Sequence, residues 1–234
     1  MTNVIKGGIP IKYLALSQNQ DLLERINRVR SSLSAQAFEC FRLCRYDTGE
    51  LLYKEGRQAG SLQIMLAGSC KVFKTLENGR NVLLCIYEDI EVMGEFELFG
   101  DPLAKTNVQA LKETYCLSAL VQEHRERLLS DNSFLQFVCR ETCAKTDRNS
   151  STIAINLLYP LEQRLAGYIL VMQKNGVFSA NYTLLAESLG CSLRHLLRVF
   201  RSLCDKGLLQ KTKAGYRIAD SDSLSKIAGN VYRQ

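Results

Sequence analysis

Asn181–Asp220 reads NYTLLAESLGCSLRHLLRVFRSLCDKGLLQKTKAGYRIAD, and this stretch decides the fold of the chain's last third. Leu184, Leu185 and Leu189 recur at helical spacing, so Tyr182–Leu189 is a short helix with those three side chains inward. Gly190 supplies the tight turn between two crossed helices. Ser192 is placed to cap the next helix, Leu193–Lys206. On that helix Leu196, Leu197, Val199, Phe200 and Leu203 include the core face, and Arg194, His195, Arg198 and Arg201 take the remaining positions. Gly207 ends it. LLQKT, the turn Lys213-Ala214-Gly215 and YRIAD then form a small basic hairpin. Helix, turn, helix, hairpin is the order of a winged helix-turn-helix, in which the second helix enters the major groove and the wing meets phosphate. The competing reading is an amphipathic helical hairpin with a solvated basic face.

Charge separates the two readings. The net charge is +6, and residues 160–234 hold eleven basic against five acidic side chains, so the whole excess lies there. Residues 1–159 are balanced. A neutral front and a basic back predict two modules, the second facing a polyanion.

Upstream, Leu22, Leu23, Ile26, Val29 and Leu33 predict a helix over residues 20–42. From residue 43 short apolar runs alternate with glycines. LLYKEG, SLQIMLAG, SCKVFKTL, NVLLCIY, VQAL and TYCLSAL read as six or more strands. Glu77-Asn78-Gly79-Arg80 is a hairpin signal, because Asn-Gly accepts positive φ at both turn centres. So many short strands predict a compact β-barrel or jelly roll. Helical character returns with VQEHRERLLS. A long helix capped at Asn132-Ser133 follows, with no Gly or Pro before Tyr159, a span of about 39 Å. Its apolar residues cluster at the ends, Phe134–Val138 and Ile153–Leu158, around a polar middle, which predicts a weak coiled-coil seam and a homodimer. Pro160 marks a hinge. LEQRLAGYILVMQKN is a further helix, stopped by Asn175-Gly176. The expected fold is α+β: an N-terminal β-roll domain over 1–130, a dimerisation helix over 131–159 and a winged helix-turn-helix over 160–234.

Composition excludes several classes. Apolar residues make up 46% and charged residues 23%, which are globular values. No stretch is long and apolar enough for a membrane span, and the N-terminus lacks the apolar core of a secretory signal. A cytoplasmic protein is expected, with its nine cysteines reduced. A cupin-like jelly-roll enzyme needs several metal-binding histidines in its β region. Here the only two are His124 and His195, both outside it. No nucleophile–base constellation or phosphate loop is present, so no enzymatic activity is expected. A scaffold binding acidic proteins through the basic tail is the other alternative, separable by the salt dependence of DNA binding.

The order of motifs resembles the CRP/FNR family of bacterial transcription regulators. The resemblance rests on Gly49-Glu50-Leu51-Leu52 through Gly56, Leu66-Ala67-Gly68-Ser69, Glu77–Arg80, MGEFELFGD with Gly94 and Glu95, and GCSLRHLLRVFRSLCDKGLL. RLAGYIL and RHLLRVF look most like the YeiL-type branch. The resemblance implies an effector-binding β-roll similar to cyclic nucleotide-binding domains, a dimerisation helix, operator DNA and RNA polymerase as partners, and a small-molecule or redox signal. It places DNA contacts at Thr183, Ser192, Arg194, His195, Arg198, Lys211 and Lys213, and effector contacts at Gly94, Glu95, Lys105 and Thr106. Members that bind cyclic AMP follow Gly-Glu with an Arg-Ser pair. The matching stretch here is Ala104-Lys105-Thr106-Asn107, without the guanidinium fork, so cyclic AMP is not the expected effector. Where classical members place a Glu in the recognition helix, this chain has Arg194, which shifts reading from cytosine or adenine donors to guanine acceptors.

Oxygen-sensing members hold an iron–sulfur cluster on four cysteines. The candidates here are Cys40 and Cys44, an i, i+4 pair, Cys116, which falls one residue short of the family's central position, and Cys139 and Cys143 on the long helix. No C-x2-C pair exists. A cluster and a thiol switch stay open beside the favoured reading of inert packing.

Overall fold

The computed structural model describes residues 2–3, 11–14, 19–77, 81–229 and 231. Nine α-helices and thirteen strands are described, in two compact units, 1–147 and 148–234. The first contains β1 (Thr2–Asn3), β2 (Ile11–Tyr13), α1 (Gln20–Ser31), α2 (Ala35–Phe38), β3 (Arg42–Tyr46), β4 (Leu51–Tyr53), β5 (Ser61–Ala67), β6 (Cys70–Thr75), β7 (Asn81–Tyr87), β8 (Glu91–Met93), α3 (Glu95–Phe99), β9 (Asn107–Ala110), β10 (Thr114–Leu120), α4 (Val121–Leu129) and the start of α5 (Asn132–Leu158). The second holds the end of α5, α6 (Leu161–Met172), β11 (Val177–Phe178), α7 (Tyr182–Ser188), α8 (Leu193–Asp205), β12 (Leu209–Thr212), β13 (Gly215–Ile218) and α9 (Ser221–Ala228).

A six-stranded sheet, β1-β2-β3-β10-β5-β8, and a four-stranded one, β4-β9-β6-β7, form the roll. Its strands read as continuous apolar runs because both faces of the larger sheet are covered. Successive side chains point to opposite faces. Leu43, Ile64 and Leu117 therefore join a core under α1, α2, α4 and α5, with Ile26, Leu128, Phe134 and Phe137. Their neighbours Cys44, Met65 and Cys116 face the roll interior with Tyr46, Tyr53, Cys70 and Val72. β6 and β7 pair from Cys70↔Tyr87 to Thr75↔Asn81, as the hairpin reading requires. The turn residues Asn78, Gly79 and Arg80 lie outside the described residues.

Several local expectations are corrected. The helix expected over 20–42 stops at Ser31. Ser34 Oγ accepts from the Ala37 N–H to start α2, and Arg42 already pairs in β3 opposite Ser118. The side chain capping α5 is that of Asp131, whose Oδ1 accepts from the Phe134 N–H at 2.9 Å, rather than Asn132 or Ser133. Asn175 and Gly176 do not end α6, which stops at Met172. With φ of 52° and 75° they form the two-residue turn between Lys174 and Val177, which exchange backbone hydrogen bonds. That turn delivers β11 to the sheet β11-β13-β12, giving the wing a third strand.

Candidate nucleic-acid interface and sensory site

In the second unit each helix of the motif is capped by its own sequence. Asn181 Oδ1 accepts from the Leu184 N–H at 3.1 Å, and Ser192 Oγ accepts from the His195 N–H at 3.2 Å. Between α7 and α8, Gly190 takes φ +63°, open to glycine at no steric cost. Leu196, Val199, Phe200 and Leu203 fix α8 in the core. Of the five apolar residues that include the core face, Leu197 is the one left outside it, 44% exposed. It sits one residue past Leu196, about 100° round the helix, and so joins the outer face. That face carries Leu193, Arg194, Leu197, Arg198 and Arg201, which with Ser192 and His195 line an open hollow of about 820 Å3. Arg194, Arg198 and Arg201 follow at i, i+4 and i+7, hence on one side. None of them makes an ion pair among the described residues.

Phe200 stacks on Tyr216 of β13, ring centroids 4.2 Å apart and 11° from parallel. This contact holds the wing against the recognition helix. Lys211, Lys213 and Arg217 are exposed on the wing, and Thr183 is exposed in the first turn of α7. His195 is half-buried. One residue missed in the sequence is Arg164, buried in α6. Its Nε donates to the Tyr159 carbonyl at 2.9 Å, and its Nη1 to Asn156 Oδ1 at 2.7 Å and the Leu189 carbonyl at 2.5 Å. Nothing in the sequence sets it apart from the solvated arginines except its place in an otherwise apolar helix.

In the first unit Gly94 takes φ +91°, and an added Cβ would lie 2.6 Å from Tyr53 Oη and 3.0 Å from the Ser61 carbonyl oxygen. Only glycine fits that approach. Glu95 begins α3, but its carboxylate is not free for a ligand. Lys145 of α5 donates to Glu95 Oε1 at 2.5 Å and to the Val92 carbonyl at 2.5 Å, and both side chains are buried. The ammonium also sits 5.2 Å from the centroid of the Tyr87 ring. Lys145 was legible only as one residue of the polar middle of α5. Lys105 is exposed and paired with Asp101, and Thr106 is half-buried. The structure thus gathers Gly94 and Glu95 with Lys145, and it leaves Lys105 engaged by its own loop.

Tyr46, Tyr53, Ser61 and Ala104 border a cavity of only about 20 Å3, far below the ~300–1,000 Å3 of small-molecule sites. Tyr53 Oη lies 2.8 Å from the Ser61 and Met93 carbonyl oxygens, and burial pushes its phenol pKa well up. Gln63 is buried beside Tyr46, Ser61 and Ser118.

The candidate cysteines fall in three places. Cys40 lies in the core under the helices and Cys44 inside the roll, on opposite faces of the sheet. They are not one helical turn apart, because α2 ends at Phe38 and Cys44 belongs to β3. Cys44 faces Cys116 across the β3–β10 ladder, its Sγ 3.3 Å from the Cys116 carbonyl oxygen. Cys139 and Cys143 are exposed on α5. Burial raises the thiol pKa of Cys40 and Cys116, and that of Cys70 to about 11. Among the described residues no three His, Cys, Asp or Glu side chains are grouped to hold a metal ion. The cysteines do not fit an iron–sulfur cluster within one chain.

Comparison with known proteins agrees with this architecture. Residues 43–131 match the cyclic nucleotide-binding domain, and residues 163–227 match the Crp-like helix-turn-helix domain. Regulatory protein YeiL of Escherichia coli O157:H7 is 34% identical over 205 residues, covering 84% of this chain and 94% of that protein. A CRP-family transcriptional regulator from Thermus thermophilus shares the fold at a TM-score of 0.65 and 20% identity, over 79% of this chain and 96% of its own. A CRP/FNR-family regulator from Eubacterium rectale does so at 0.70 and 13%, over 85% and 96%. Among the described residues no helix is long and apolar enough to cross a membrane. A nucleotide-binding-type roll followed by a winged recognition helix, in a chain matching YeiL over nearly its whole length, makes this protein a member of the CRP/FNR family of DNA-binding transcription regulators.

Proposed function

We propose that the protein acts in the cytoplasm as a homodimer, without enzymatic activity, and reads its operator through Arg194 and Arg198 of α8. The observation that carries this reading is the exposed row Arg194, Arg198 and Arg201, without an acidic ion-pair partner among the described residues and flanked by a basic wing. Arginine is suited to bidentate contact with guanine O6 and N7, whereas Lys211 and Lys213 suit phosphate. Leu193 and Leu197 offer apolar surface for a thymine methyl. Family resemblance supports RNA polymerase as a partner.

The two kinds of contact separate experimentally. Arg198→Ala is expected to cost about 1–3 kcal/mol on the specific site and to relax the preference at one base pair. Lys211→Ala is expected to weaken specific and non-specific duplex alike and to lower the salt slope by about one per subunit. Binding-site selection on the wild type and on Arg194→Glu is the check. Recovery of the same half-site by both proteins would remove Arg194 from the readers.

The effector is a small-molecule or redox signal other than cyclic AMP. Glu95 is held by Lys145, and Lys105-Thr106 stand where cyclic-AMP-binding members carry the Arg-Ser pair. Isothermal titration with cyclic AMP is expected to give no heat of binding up to millimolar concentration. Micromolar affinity would overturn this part of the reading.

A further inference from the structure

Along α5 the side chains of Cys139, Cys143, Thr146, Ser150, Ile153 and Leu157 are all exposed, at alternating spacings of four and three. That 3.5-residue repeat keeps one seam facing a partner helix of the same pitch. Its distal members are large and apolar, Ile153 at 60% and Leu157 at 79% exposure. At its near end, Cys139 and Cys143 line an open apolar groove of about 550 Å3, walled by Phe96, Phe99, Leu135 and Val138. Phe96 and Phe99, 69% and 50% exposed, lie together in this groove, and a contiguous exposed apolar patch marks an interaction surface. A second α5 in parallel register matches the repeat over its full length, and in a two-fold pair each seam layer meets its own copy.

The two thiols cannot bridge each other within the helix. Cβ atoms at i, i+4 are ~5–6 Å apart, against the ~3.5–4.5 Å that a disulfide needs. Of the nine cysteines these are the only two that are exposed. Cys40, Cys44, Cys70 and Cys116 are buried, and Cys85, Cys191 and Cys204 are half-buried.

We propose that Cys139 and Cys143 form an oxidation site at the α5–α5 seam, where a disulfide joins the two chains through like positions. This rests on the homodimer reading above. A low-molecular-weight disulfide such as oxidised glutathione supplies the oxidising equivalents. One thiolate attacks it, releasing one glutathione thiol and leaving a mixed disulfide. The thiolate of the second chain then displaces the second glutathione. Two protein thiols lose two protons and two electrons, and one glutathione disulfide becomes two thiols.

The test uses the full chain, reduced and freed of reductant, then titrated with oxidised glutathione. Non-reducing electrophoresis and peptide mapping read the product, while sedimentation of the reduced protein reports its association state. The expected result is a covalent dimer, reversed by dithiothreitol, with Cys139–Cys139 or Cys143–Cys143 peptides. In C139S/C143S it falls at least tenfold, although the reduced variant sediments like the wild type. The single variants assign the layer. A reduced dimer that does not cross-link, or that cross-links undiminished in the double variant, overturns the oxidation site and leaves the homodimer standing. A reduced protein that stays monomeric at tens of micromolar, with operator DNA present, overturns the homodimer and the site with it.

Discussion

Lys145→Ala is expected to destabilise the first unit by about 3–5 kcal/mol, the range for removing one partner of a buried ion pair. The cost comes from what is left behind. Glu95 stays buried at the start of α3, with no other ion pair among the described residues. The Val92 carbonyl loses its Lys145 donor as well. Replacing both partners by apolar or neutral groups of similar size removes the uncompensated charge, so Glu95→Gln combined with Lys145→Met is expected to recover most of the loss. Urea unfolding of the two variants beside the wild type is the measurement. A loss below about 1 kcal/mol in Lys145→Ala would place the pair in the class of solvated surface bridges. The same pair makes a functional statement. In this chain the acidic residue of the Gly94-Glu95 motif is spent on the long helix, so α3 and α5 are tied by an internal cation rather than by a bound ligand.

Phe200→Ala is expected to cost the second unit about 3–5 kcal/mol, as large-to-small changes at buried aromatic positions do. Phe200 is fully buried. Besides Tyr216, its ring meets Tyr182 edge-on at 5.5 Å and Phe178 at 6.2 Å. The cavity would therefore open between α8, α7 and the wing together. Specific DNA binding is expected to fall with the fold of this unit, while the first unit keeps its own unfolding transition. Circular dichroism melts paired with gel-shift titrations check both statements. Operator affinity within threefold of wild type would mean that the aromatic stack does not position α8.

The architecture was legible where a pattern repeats. Six strand segments, the long helix and the helix-turn-helix with its wing all sit where periodicity and turn residues place them. Legibility failed where one residue decides. β3 was hidden because RLCRY follows a helical run without a Gly or Pro to announce the change. β11 was hidden because Asn175-Gly176 signals both a helix stop and a hairpin turn, and two strand residues are too few to show alternation. Leu197 has the composition of a core residue, and only its angular place on α8 puts it outside. Lys145 and Arg164 look like solvated charges in a list of residues. Their burial depends on acceptors distant in sequence, the Val92 carbonyl and Glu95 for one, the Leu189 carbonyl for the other. The candidate DNA contacts were easier to find than the sensory ones, because a basic exposed face is a property of composition and helical phase, whereas the contents of a roll interior are a property of packing.

Arg164 ties the helix-turn-helix of the second unit to the end of α5. Its guanidinium grips Asn156 and the Tyr159 carbonyl at the end of α5 together with the Leu189 carbonyl beside the helix-turn-helix turn. Five planar donors on one rigid fork make it a cross-brace at Pro160, which a lysine's single ammonium could not reproduce. The last turn of α5 and the turn before α8 are therefore tied within the second unit by one side chain. That side chain meets all three acceptors, so the end of α5 and the turn before α8 share a single rigid contact. In the homodimer proposed above, with half-sites ~34 Å apart, such a brace would fix the angle that each reading head makes with the last turn of its own α5.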